Sequence, residues 1–351
     1  MNKYKTTGEQ MFLVASIFFF LINLFFQNAL HSYLDFSFWW ILIFLMYPIV
    51  HLLQFRINTR ATNYIYTGVI LLTIYQLLFI FVSLFAYIVD IIFKILIPMS
   101  YLLIFNLVIL IIGFIYSEII VVRKLSINSP KIKQKTRIVQ ISDLHAHGIS
   151  SESLISKVAK KVKKQKPDIL VITGDLFDYY GLPSKNSLKE INALKIPTYY
   201  VYGNHENMLL RDYASKLIDD SSVIPLVNEN IKFNELQLIG LDDCNNGCLN
   251  DGLKKQQIDN EAYSILLQHK PINVENISKK GIDLMLSGHT HGGQFFPFNL
   301  LLNMTWKYLG GYYRVNDMNL YVSRGTGTKS FPFRLFIPNE LTVVDLLPQT
   351  K

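Results

Sequence analysis

Five groups of residues able to do chemistry follow one another along the chain: Asp143-x-His145, Gly174-Asp175-x-x-Asp178, Gly203-Asn204-His205-Glu206, His269, and Gly288-His289-Thr290-His291. Together they supply carboxylates, imidazoles and one amide oxygen, with no thiolate. That mixture suits borderline or harder divalent ions such as manganese, iron, zinc or cobalt. In Asp143-x-His145 and His289-x-His291 an extended backbone sends alternate side chains to one face, so both members of a pair can reach one ion. The donors exceed the needs of one ion. Two ions follow, with a carboxylate bridging them ~3.5–4 Å apart. Such a pair lowers the pKa of a water between the ions and clamps the oxygens of an in-line phosphoryl displacement.

These groups must be positioned by the elements that precede them. The apolar runs at 138–142, 168–173, 198–202, 236–241, 283–287, 320–323 and 340–344 read as buried strands. Amphipathic patterns at 151–166, 184–194 and 206–218 read as helices. The alternation predicts an α/β domain with strands packed between helical layers. Asp143, Asp175, Asn204 and His289 each fall just past a predicted strand, where α/β proteins gather their ligands. His269 lies in SILLQHKP, which fits either a strand or part of a helix.

The ordered set resembles the calcineurin-like metallophosphoesterase superfamily, whose pattern is D-x-H, G-D-x-x-D, G-N-H-[DE], a later His, and G-H-x-H. The resemblance covers about residues 135–346, and its fold implication is a layered β-sandwich flanked by helices. It implies that Asp143, His145 and His291 hold a first metal, that Asp175 bridges, and that Asn204, His269 and His289 hold a second. His205 is then free of metal and protonates the leaving oxygen, with Asp178 orienting it. Manganese, iron or zinc are the expected ions. Glu206 stands where the family more often has Asp; by itself it reads as a helix N-terminal carboxylate favoured by the dipole. His147 reads as facing solvent or substrate. The stretch SRGTGTKSFPFRLFIPNEL resembles the bacterial membrane-associated branch that is UDP-2,3-diacylglucosamine hydrolase-like.

The rest of the chain is of another kind. The 351 residues are 50% hydrophobic and 17% charged, against about 25% charged in soluble domains. Charges are sparse over 11–122 and ordinary from Arg123 onward. Four membrane spans are expected at about 11–30, 36–55, 65–89 and 95–122, the last two divided by Asp90, Lys94 and Pro98. A transmembrane region over 1–122, a basic linker over 123–136 and a metallophosphoesterase domain over 137–351 complete the expected organisation. Lys3, Lys5, Arg56, Arg60 and the basic residues after span four put both termini and the catalytic domain in the cytoplasm of a multi-pass membrane protein. The net charge of +8 is read as topology and lipid attraction, and no nucleic-acid partner is expected. Cys244 and Cys248 lack partners at zinc-site spacing and read as an incidental pair.

Directly after His291 comes GGQFFPFNL. Phe295, Phe296 and Phe298 either pack a loop onto the domain's own core or, with Leu300–Leu302, Trp306, Phe331 and Phe333, rest on a bilayer beside the site. Arg324, Arg334 and Lys329 are candidates to meet a substrate phosphate. The expected activity is hydrolysis of a phosphodiester, pyrophosphate or phosphomonoester on a lipid or membrane-associated substrate. The alternative is a membrane sensor whose metallo-domain binds a phosphorylated ligand without turnover.

Overall fold

In the computed structural model, residues 60–146, 150–178, 183–207, 211–243, 246–329 and 331–349 are described. The chain divides into two units, Met1–Ile115 and Tyr116–Lys351. The first two expected spans, together with His147 and Cys244, lie outside the described residues.

In the first unit the described chain forms helix α1 (Arg60–Phe93) and enters helix α2 (Met99–Ser117). The break between them falls where Lys94 and Pro98 were expected to cause one. Phe79, Ala86 and Leu102 pack together, and the Asn106 side-chain amide donates to the Tyr75 carbonyl at 2.8 Å. Phe81, Phe85, Ile104 and Phe105 are exposed. Among the described residues one helix, Ser100–Ser117, is long and apolar enough to cross a membrane; Leu78–Phe93 is a shorter apolar stretch. Four spans are therefore not shown.

The second unit is a sandwich of two six-stranded mixed sheets. The first has the order β1-β12-β2-β3-β4-β5, built from β1 (Ile120–Ser129), β2 (Thr136–Ile141), β3 (Ile169–Thr173), β4 (Thr198–Val201), β5 (Val223–Pro225) and β12 (Asn339–Pro348). The second has the order β10-β11-β9-β8-β7-β6, from β6 (Glu229–Phe233), β7 (Leu236–Gly240), β8 (Tyr263–Leu267), β9 (Leu284–Ser287), β10 (Gly311–Val315) and β11 (Met318–Val322). Alternation along each strand divides the apolar residues between two layers. Ile138, Val171, Leu238, Ile265 and Leu286 meet in the core between the sheets. Val139, Ile141, Leu170 and Ile172 face outward onto helices α3 (Ser150–Gln165), α4 (Lys189–Asn192) and α5 (Arg211–Asp219). Leu266 and Met285 likewise face α6 (Asn246–Lys254) and α7 (Val274–Ser278). A last short helix, α8, spans Phe298–Leu302.

Two expectations need correction. The fourth span does not run to residue 122, because α2 ends at Ser117 and Ile120 begins β1. Nor is 123–136 a linker: β1 pairs in parallel with β12 through Ser129, so the second unit starts near Tyr116. Edge pairing explains both. Ile120 and Ile127 are buried while Arg123 and Lys124 are exposed, so an edge strand carries charges that read as linker.

Strands β2, β3 and β4 are parallel, as are β8 and β9, so within each sheet the carboxyl ends of these strands lie at one edge. Gln140, fully buried on β2, ties the two edges together. Its amide donates to the Thr173 hydroxyl at 2.8 Å on β3 and to the Ser287 carbonyl at 2.9 Å on β9. Gln140→Met removes both donors and leaves the Ser287 carbonyl without this partner. A loss of about 1–3 kcal/mol is expected, read as a lower melting temperature of the full chain. An unchanged melting temperature would show that the sheets are not held together at this point.

Candidate metal centre

Each expected ligand sits in the loop that leaves one of these strand ends. Asp143 and His145 follow β2, Asp175 and Asp178 follow β3, Asn204 and His205 follow β4, His269 follows β8, and His289 and His291 follow β9. All of them are buried except Asn204 and His289, which are half-buried. The backbone is bent to deliver them. Asp143, His145, Asp175, His289 and His291 have φ of 52°, 49°, 49°, 73° and 52°, a left-handed conformation that is costly for residues with a Cβ. Two glycines make room: a Cβ on Gly203 would lie 2.1 Å from Asp175 Oδ1, and one on Gly288 would lie 2.2 Å from Asp143 Oδ2.

Two ligand clusters result. In the first, Asp143, His145 and His291 face one another, with the two imidazole Nε2 atoms 3.0 Å apart and His291 Nε2 3.5 Å from Asp143 Oδ1. In the second, His269 Nε2 lies 3.2 Å from Asp175 Oδ2, 3.1 Å from Asn204 Oδ1 and 3.2 Å from His289 Nδ1. Asp175 stands between them, since its Oδ2 is also 3.8 Å from His145 Nε2. The structure thus brings together all seven residues expected to hold metal.

The donor set fits a pair of divalent ions. His269 Nδ1 donates to the Thr173 carbonyl at 2.9 Å, which turns Nε2 inward among the oxygens. Burial works against charge on His269, but Asp175 and then Asp143 outweigh it and push the group up to about 10. Burial would raise Asp175 as well, yet His269 and His205 hold it well below the usual carboxylate range. Carboxylate oxygens, imidazole nitrogens and one amide oxygen gathered within one buried volume are the donors that divalent cations take.

His205 lies at the edge of this cluster. Its Nδ1 is 3.1 Å from Asp178 Oδ1, and its backbone N–H donates to Asp175 Oδ1 at 2.9 Å. Its Nε2 is 3.9 Å from Asp175 Oδ2. The imidazole also forms a possible ligand group with His145 and Asp175. Burial opposes ionisation of Asp178, but His205 and His145 keep its carboxyl far below its ordinary value.

The structure gives Glu206 a part that sequence did not. Its buried carboxylate accepts from the backbone N–H groups of Asp175 at 3.1 Å, Phe177 at 2.9 Å and Gly203 at 2.9 Å. It therefore pins the β3 and β4 loops to each other. Only its place directly after His205 could have hinted at this.

Arg334 was expected to meet a substrate phosphate, but the structure encloses it behind the ligand loop. It is fully buried, donates to the carbonyls of His291 and Gly327, and faces His291 Nδ1 at 3.1 Å. A guanidinium enclosed in this way supports the ligand loop from behind. Arg324 is partly exposed and pairs with buried Glu340 at 3.2 Å. Lys329 does line a cavity, of about 310 Å³, that opens beside His289 and His291 and is walled by Phe298, Trp306 and Phe331. The aromatic stretch divides between its two readings: Phe295 and Phe333 are buried, whereas Phe296, Leu300 and Leu301 are exposed.

Comparison with known proteins agrees with this geometry. The profile described as calcineurin-like phosphoesterase matches residues 136–293. An uncharacterized metallophosphoesterase of Aquifex aeolicus is 30% identical, over 64% of this chain and 91% of its own length. Another from Campylobacter jejuni is 32% identical, over 64% of this chain and 63% of the relative. A Bos taurus transmembrane protein with metallophosphoesterase domain is 29% identical over 61% of this chain and 53% of its own length. The chain spans 62–63% of the first bacterial relatives it matches. These relatives support the superfamily and not the narrower UDP-2,3-diacylglucosamine hydrolase-like branch.

Burial, and then the Asp175 carboxylate, push Glu206 from an ordinary 4.5 up to about 7. Between those values the folded metal-free chain keeps a proton there that the unfolded chain has released. The contribution of this group to stability therefore falls as pH rises through that window and is level above it. In metal-stripped protein, the stability of Glu206→Gln relative to wild type should improve between pH 5 and pH 8. Parallel stability profiles would show that Glu206 is ionised throughout.

Proposed function

This chain belongs to the calcineurin-like phosphoesterase family, and on that premise we propose that it is a membrane-anchored, metal-dependent hydrolase. Its substrate is a phosphodiester, pyrophosphate or phosphomonoester on a lipid or other membrane-associated molecule. The observation that carries this reading is the pair of ligand clusters with Asp175 between them and the His205–Asp178 pair against them. Asp143, His145 and His291 would hold one divalent ion and Asn204, His269 and His289 the other, with Asp175 bridging. When bound, such ions supply Lewis acidity that activates a water nucleophile and neutralises charge on the phosphoryl oxygens.

The remaining steps belong to the chain. The Asp178 carboxylate accepts from His205 Nδ1, which fixes the ring and its tautomer. Nε2 is then the atom that delivers a proton to the leaving oxygen. The backbone bond from His205 to Asp175 keeps this acid in a constant position relative to the bridging carboxylate. Glu206 holds the same two loops, so acid and ligands form one rigid group. A module that only captured a phosphorylated ligand would have no use for a positioned proton donor.

The reading is tested on full-length protein stripped of metal and reloaded with manganese, zinc or iron, using one phosphodiester and one phosphomonoester. Asp175→Asn should abolish metal-dependent turnover. His205→Ala should lower kcat by ~10²–10⁴ on esters with an alkoxide leaving group, and less where the leaving group is p-nitrophenolate, which departs without a proton. Metal binding without turnover on either ester would favour a sensor.

We also propose that the chain is multi-pass and that the catalytic unit faces the cytoplasm. The basic residues flanking the expected spans support this side. A carboxyl-terminal tag should resist protease in sealed right-side-out vesicles and be cut only after permeabilisation. Cleavage in intact vesicles would reverse the orientation.

A further inference from the structure

We propose that the cavity beside His289 and His291 is a subsite for an apolar organic group attached to the substrate's own phosphate. The substrate class is then an amphiphilic phosphoester and not a sugar or nucleotide phosphate. This inference rests on the phosphoesterase reading and adds the chemistry of what the phosphate carries.

Position is the first argument. Two expected metal ligands form one wall of the cavity, and the Trp306 ring lies edge-on to His289 with centroids 5.1 Å apart. A phosphoester held at the ligand clusters therefore has a substituent at the cavity mouth. Size is the second. About 310 Å³ is at the lower end of the ~300–1,000 Å³ range of ligand pockets, so the space takes a chain segment or one ring.

The lining chemistry decides the class. Phe298, Leu302, Trp306 and Phe331 present apolar surface. The neutral polar side chains of the wall are already engaged within the protein. The Thr290 hydroxyl donates to the Leu309 carbonyl at 2.6 Å. Gln294 accepts the Lys329 backbone N–H at 3.0 Å and donates to the Lys329 carbonyl at 3.2 Å. A sugar or base entering here would give up hydrogen bonds to water with few replacements. An alkyl chain or phenyl ring would give up no hydrogen bonds and gain about 25 cal/mol for each Å² it buries. The Lys329 ammonium, the one charged amine in the lining, is left for a phosphoryl oxygen.

The cavity is also held open. Phe295 is buried and packs against Phe298 at 5.4 Å, Phe333 at 5.4 Å and Phe331 at 6.1 Å. The Phe296 N–H donates to the Leu335 carbonyl at 3.1 Å, joining the two loops that form the walls. A site built in advance costs little reorganisation when it is filled. From its rim, α8 continues outward with Leu300 and Leu301 exposed, so a chain longer than the cavity still finds apolar surface.

Trp306 is the one tryptophan outside the first unit, so in a Trp39→Phe/Trp40→Phe background it reports on the cavity directly. The full chain, metal-reloaded in lipid nanodiscs, is titrated with methylphosphonate, phenylphosphonate and octylphosphonate, whose P–C bonds are not hydrolysed. Octylphosphonate or phenylphosphonate should bind at least ten-fold more tightly than methylphosphonate and alter Trp306 emission; which of the two gains more separates an alkyl chain from a ring. That ratio should fall at least five-fold in Phe331→Ser and in Leu302→Ser and stay unchanged in Met304→Ser, an exposed residue outside the cavity. The ratio is unaffected by a general loss of folded protein. Equal affinities, absent binding, or a preference that survives the wall substitutions overturns the subsite. Turnover of methyl p-nitrophenyl phosphate is assayed in parallel, so that failure of the phosphoesterase reading appears there and not in the phosphonate ratio.

Discussion

Buried charge governs this molecule. Asp143, Asp175 and Asp178 are almost wholly removed from water within one small volume. Ionised carboxylates in such a place are costly unless positive groups and directed hydrogen bonds surround them. The imidazole of His269 supplies part of that compensation, and the opposed shifts of Asp175 and His269 record it. The donor set fits divalent cations, which would supply the rest. The architecture around the cluster serves to maintain an arrangement that would otherwise fly apart.

That need reaches down to individual dihedral angles. Loops leaving parallel strands point the same way, but an ordinary extended exit would carry the side chains past one another. The left-handed turns at Asp143, His145, Asp175, His289 and His291 swing them inward, at a cost of order 1–3 kcal/mol each. Backbone so strained is retained only where other contacts over-determine it. Glu206 gathers three amides, the Asp143 carboxylate accepts the His289 N–H, and Gln140 joins the sheets beneath. The ligand loops of the two sheets are thus bonded directly to each other, so a disturbance in one is felt in the other.

Much of this was legible in the sequence because charged groups in apolar surroundings stand out. The candidate groups stood out because several follow continuous apolar runs, the family resemblance assigned them to metals, and β2, β3, β4, β7, β9, β11 and β12 were recognised from those same runs. The elements that escaped lack this contrast. Strand β1 keeps one edge in solvent and carries Arg123 and Lys124, so its pattern resembles a linker. Strands β6 and β10 are half-exposed, and β5 is only three residues long. The run YSILL of β8 is apolar on both faces, which removes the period that separates strand from helix. The helix expected over 184–194 shrinks to four residues, Lys189–Asn192. Arg334 was misjudged for a related reason. Arginine is rarely found fully buried, and nothing in FPFRLF announces that the guanidinium turns back onto the His291 loop.

The aromatic stretch behind His291 shows how one short segment meets two demands. Side chains that alternate in burial cannot all serve the core or all serve a surface. Phe295 goes inward and fixes the loop; Phe298 is half-buried and lines the cavity; Phe296 points outward. A loop made only of polar residues would have nothing to anchor it, and the two histidines it follows would lose their fixed direction. The apolar surface beside the ligands therefore has a structural origin, since the buried aromatics hold the loop still. Once the loop is held, its remaining faces are free to be selected for what they touch. Those faces lie beside the ligand clusters, with Phe298 and His291 lining the same cavity.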